Sequence, residues 1–103
     1  MKTIMIVDDE ENILKKMKSF LENDDFEVLT VSNNREALEQ IDETKKGNLN
    51  LILVNTNRPS DNKPAFFSIK PTSKMNIDTD NTEDFLQKPF TKQHLLSFVR
   101  NKI

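Results

Sequence analysis

Apolar residues fall into two kinds of pattern along this chain: short continuous runs and longer helical stripes. Leu51-Ile52-Leu53-Val54 is four apolar residues in a row, the mark of a strand buried on both faces. Ile4-Met5-Ile6-Val7 repeats that pattern near the start of the sequence. Between them, Ile13, Leu14, Met17, Phe20 and Leu21 recur at helical spacing and put one apolar stripe on a helix over about 11–23. Asn23-Asp24-Asp25 reads as a turn, and 26–31 as a second strand. Asn33 and Glu36 form a capping-box pattern before Ala37, Leu38 and Ile41, which predicts a helix over 34–46 stopped by Gly47.

The regular alternation breaks after Pro59. Only Ser60-Asp61-Asn62-Lys63 separates it from Pro64-Ala65-Phe66-Phe67-Ser68-Ile69, a fourth strand near 65–69, and four residues hold no crossover helix. The segment 70–83 is polar, interrupted by Pro71, and shows no sustained apolar period. A last strand near 84–87 precedes a helix over 91–102, with Thr91 as N-cap and Leu95, Leu96, Val99 and Ile103 as its core stripe. The expected fold is α/β: a reduced doubly wound parallel sheet of about five strands. Its third helix is missing, and its fourth is missing or irregular.

Composition narrows the function. At 103 residues the chain is read as one domain, 1–103, with an atypical segment at 60–83. A net charge of −2 argues against direct nucleic-acid binding. The absence of cysteine removes disulfides, thiolate-bound zinc and thiol catalysis together. No run is long enough for a membrane span or a signal segment, so the expectation is a soluble cytoplasmic protein. Only one glycine serves all the turns, an unusually low supply.

Chemistry gathers at three strand ends. The first strand runs into Asp8-Asp9-Glu10, the third into Asn55, and the last into Lys88-Pro89-Phe90. Ligand sites in open α/β sheets lie beyond the carboxyl ends of the strands, so these groups are placed to converge. Read alone, Asp8-Asp9 could be a strand-end turn and Lys88 a surface residue before a turn. His94 has no metal-binding partner at useful spacing and is read as facing solvent.

These three motifs, in this order, resemble the receiver domain of two-component response regulators, a flavodoxin-like (CheY-like) fold. The likeness covers 3–59 and 84–103 and is poor over 60–83. It implies a module of phosphorelay signal transduction that is not an enzyme beyond self-phosphorylation from a phosphodonor. In such a domain a carboxylate ending the third strand takes a phosphoryl group with the help of Mg²⁺. The resemblance then gives Asp8, Asp9 and the backbone carbonyl of Asn57 to the metal, and Lys88 to the phosphoryl oxygens. It also implies a switch hydroxyl ending the fourth strand, which falls at Ile69 or Ser68, and an aromatic partner at Phe85.

Two departures matter. The phosphoacceptor position holds Asn55, a neutral amide that is a poor nucleophile and takes one negative charge from the metal site. The switching region is the one that is shortened. The expectation is therefore a pseudo-receiver, not phosphorylated at Asn55, with Mg²⁺ weakly bound or absent. It would act by contact with a histidine kinase or another signalling protein, or as a homodimer through the 60–83 side. Two other readings stay open: phosphate uptake on a substitute carboxylate (Asp8, Asp9 or Asp61) with Mg²⁺, or a plain dimerisation scaffold.

Overall fold

The computed structural model describes residues 2–33, 35, 39, 49–57, 62–69 and 85–103. The elements are β1 (Thr3–Val7), α1 (Glu11–Glu22), β2 (Glu27–Val31), β3 (Leu49–Asn57), β4 (Pro64–Ile69), β5 (Phe85–Gln87) and α2 (Lys92–Lys102). The strands form one sheet in the order β2-β1-β3-β4-β5. The helix expected over 34–46 lies outside the described residues, apart from Arg35 and Glu39. Those two are helical, and Arg35 Nε stands 3.6 Å from Glu39 Oε1. The segments 58–61 and 70–84 also lie outside the described residues, and Asp61 with them.

Each element follows from its sequence. All five residues of β1 are buried, as a run apolar on both faces requires. β1 pairs in parallel with β2 and with β3, which places it inside the sheet. On α1 the buried residues are Leu14, Met17 and Leu21, with Ile13 and Phe20 packed beside them. That is the stripe the periodicity predicts. α2 starts at Thr91, whose hydroxyl accepts a hydrogen bond from the His94 backbone N–H at 3.1 Å, and it buries Leu95 and Val99. The scarcity of glycine is met by Asp25 and Asn62, which take positive φ of 67° and 56°. Short polar side chains tolerate that left-handed region better than other non-glycine residues.

The core lies on the face covered by α1 and α2. It joins Ile4, Ile6, Val28, Leu51, Leu53, Phe66 and Leu86 of the sheet to Leu14, Met17, Leu21, Leu95 and Val99 of the helices. Fully burying each large apolar side chain stabilises the fold by about 1.5–3 kcal/mol. A smaller cluster, including Met5, Val7, Val31 and Ile52, occupies the other face. Leu49 belongs to that second cluster although Leu51 belongs to the first. The register slips between Thr3 and Ile4, so Asn50 is an extra residue that reverses the alternation. The Asn50 side-chain oxygen accepts the Thr3 N–H at 2.9 Å, which satisfies the donor the bulge would otherwise strand.

The sheet is reduced α/β as expected, but β4 departs from the parallel arrangement. It pairs antiparallel with both β3 and β5. The cause is the one visible in the sequence: six residues join β3 to β4, too few for a crossover, so the chain must turn straight back. The other four strands keep a common direction. Phe66 and Phe67 point to opposite faces, the first fully buried in the helix-side core and the second half-buried.

Candidate functional site

The period-two alternation of a strand decides which side chains meet at the carboxyl edge. Ile4 and Ile6 face the helix-side core, so the next residue in that series is Asp8. Leu51 and Leu53 do the same for Asn55, and Leu86 for Lys88. Three elements thus deliver a carboxylate, an amide and an ammonium to one face of one edge. The Asp8 N–H continues the ladder by donating to the Val31 carbonyl at 3.1 Å, which ties the turn to the sheet. The Lys88 N–H donates to the Pro64 carbonyl at 3.0 Å, fixing the other wall.

The side chains close on each other. Lys88 Nζ donates to Asp8 Oδ2 at 2.8 Å and to Asn55 Oδ1 at 2.7 Å. Asp8 Oδ1 accepts the Glu10 N–H at 2.9 Å, so both carboxylate oxygens are engaged. The Asp8 side chain is 1% exposed and the Lys88 side chain 15%, and such a sheltered pair is far less screened than a surface ion pair. Beneath the ammonium lies the Phe66 ring, with its centroid 4.4 Å from Nζ, a cation–π distance. Phe66 is wholly buried, and Phe90 meets it edge-on at 6.2 Å between centroids.

The expected residues separate into two groups. Asp8, Asn55 and Lys88 meet in one cluster. Asp9 is exposed beside them, and Asn57 is exposed two residues beyond Asn55, its carbonyl accepting the Thr56 hydroxyl at 3.4 Å. Ser68 and Ile69 are not at this edge. In the reversed strand they lie opposite Leu53 and Ile52, and Ser68 is therefore about 7 Å down the sheet from Asn55. The polarity of β4 is the reason, because an antiparallel strand begins, rather than ends, at the carboxyl edge. Phe85 is half-buried and pairs with Phe67 at 6.4 Å between ring centroids, away from the ammonium. Phe66 is a member of the cluster that no strand-end motif marks. The signal for it was the short connection after Pro59, which implies a hairpin and hence a residue of 64–69 beside Asn55.

A receiver fold implies a divalent cation, and the donor set tests that implication. Among the described residues no three acidic or histidine side chains gather to hold a metal ion. Asp8 is turned onto the Lys88 ammonium and the Glu10 N–H, Asn55 is neutral, and the neighbouring carboxylates, Asp9 and Glu10, are exposed. Hard cations take oxygen ligands, with carboxylates supplying the negative charge, and here the one buried carboxylate, that of Asp8, is paired with an ammonium. Next to the cluster is a cleft of about 560 Å³ lined by Glu10, Ile13, Lys16, Pro64, Lys88, Pro89 and Phe90. It reaches from the start of α1 to the loop before α2 and is open to solvent. Among the described residues, no helix is long and apolar enough to cross a membrane.

The family model of the response regulator receiver domain matches residues 4–63. No curated protein and no solved structure matches the chain. The matched span includes Asp8, Asp9, Asn55 and Asn57, and it ends at the residue before β4.

Proposed function

The chain belongs to the response regulator receiver domain family, and from that premise we propose that it is a pseudo-receiver: a module of two-component signalling that takes no phosphoryl group at position 55. The observation that carries this reading is the Asn55 amide oxygen, which accepts the Lys88 ammonium at 2.7 Å. A carboxylate at this position would attack phosphorus through an anionic oxygen. An amide has no such oxygen, and here its carbonyl is already spent on the lysine. The second departure acts the same way, since Ser68 and Ile69 are carried away from the pocket that a switch residue would have to sense. Mg²⁺ binding is accordingly weak or absent.

Output then comes from protein contact. The cleft beside the site is lined by the apolar Ile13, Pro64, Pro89 and Phe90 together with the charged Glu10, Lys16 and Lys88, a mixture that suits a signalling partner such as a histidine kinase. Homodimerisation through the 60–83 side is a second route to contact, and the protein acts in the cytoplasm. Uptake on Asp8 in place of position 55 is disfavoured because both its oxygens are engaged.

The test is intact mass after incubation with a small phosphodonor and Mg²⁺, for the unmodified protein beside Asn55→Asp. The expected result is no adduct on the first and a phosphoryl adduct on the second. An adduct on the unmodified protein overturns the pseudo-receiver reading and turns attention to Asp8, Asp9 and Asp61.

A further inference from the structure

The cluster holds one ammonium, one buried carboxylate and one amide, so its charge is already balanced without an added ion. Its floor is an aromatic ring that the reversed β4 brings there: Phe66 pairs directly with Asn55 on one side and with Leu86 on the other. Directly opposed residues project to the same face, so the ring has no choice but to lie between the amide and the lysine-bearing strand. With its centroid 4.4 Å from Nζ and no exposure of its own, it presents its negative face to an ammonium whose side chain is only 15% exposed. Phe90 packs edge-on against it and restricts its tilt.

We propose that Lys88 is the resident cation of this pocket, and that Phe66 is the positioning residue that holds its ammonium on Asp8 and Asn55 and so keeps divalent cations out. The proposal rests on the pseudo-receiver reading and adds a second lock to it. Asn55 removes the nucleophile, while Phe66 and Lys88 occupy the charge site. A divalent ion entering here must draw Asp8 off the ammonium, and it must overcome the ring as well as the carboxylate. Restoring the acid at position 55 alone therefore leaves Mg²⁺ binding weaker than the same acid with the ring removed.

Two measurements test this. In the unmodified protein, ¹H–¹³C correlation spectra of the lysine side chains should show the Lys88 ε-methylene shifted upfield of the other lysines by the Phe66 ring current. That shift depends on ring placement alone and reports nothing about phosphoryl transfer, so it stands or falls apart from the phosphodonor experiment. In the Asn55→Asp background, Mg²⁺ titration followed by amide shifts should give roughly tenfold tighter binding when Phe66→Leu is added, between the scales of an exposed and a desolvated cation–π contact. A Lys88 ε-methylene at the ordinary lysine position overturns the proposal. So does an unchanged Mg²⁺ affinity in the folded double variant. Should Phe66→Leu fail to fold, the spectrum of the unmodified protein decides.

Discussion

The sheet has two halves built on different rules, and they meet at Asn55. In β2, β1 and β3 the strands are parallel, and their carboxyl ends bring Asp8 and Asn55 to one edge. In β4 and β5 the pairing is antiparallel, and the edge receives the beginning of β4 with the end of β5. The first half delivers charged and polar groups, as a doubly wound sheet does at its ligand edge. The second half delivers Lys88, but it also delivers an aromatic ring and withdraws the only hydroxyl of β4, that of Ser68. Strand polarity, more than residue composition, decides which side chain of a segment reaches a site. Reversing one strand exchanges its two ends while leaving its sequence and apolar content unchanged.

The largest expected effect tests the join between the halves. Phe66→Ala removes a wholly buried ring shared by the core and the ammonium, and should cost about 3–5 kcal/mol in urea unfolding. A loss under about 0.5 kcal/mol, the level of ordinary surface changes, would mean that the second half is not packed into the common core. Next in size is Lys88→Met, which leaves the buried Asp8 carboxylate without its cation and should cost roughly 3 kcal/mol. Adding Asp8→Asn to it should recover part of that loss, since removing both charges is less damaging than removing one. A loss in the double variant equal to the sum of the Lys88→Met and Asp8→Asn losses would show that the pair is not coupled. Smallest is Ser68→Ala, expected to change stability by less than about 0.5 kcal/mol and to leave the Asn55 and Lys88 resonances in place. Movement of those resonances would break the contrast, by showing that Ser68 does sense the pocket.

Much of the first half is readable from residue order. Two apolar runs buried on both faces identify β1 and β3, and counting by twos from Ile4 and Leu51 arrives at Asp8 and Asn55 on one face. The stripe through Leu14, Met17 and Leu21 is equally explicit, as is the Thr91 cap. The second half is harder because its strand boundaries follow from pattern while its direction follows from the length of a connection. A parallel Pro64–Ile69 strand places Ile69 or Ser68 at the site. The four residues after Pro59 are instead the length of a hairpin connection, which sets Phe66 beside Asn55. The cation–π contact with Lys88 follows only after that choice, and no local motif announces it. The bulge at Asn50 is another feature without a periodic signature, since it shows itself only as a change of face between Leu49 and Leu51.

The direction of β4 can be measured without reference to any activity. Nuclear Overhauser contacts between backbone protons of β3 and β4 report the register directly. The structure predicts cross-strand contacts following Leu53↔Ser68, Asn55↔Phe66 and Asn57↔Pro64, with partner numbers falling as residue numbers rise. Contacts in which Ser68 or Ile69 approaches Asn55 would make β4 parallel, return a hydroxyl to the pocket and contradict the account of a closed site.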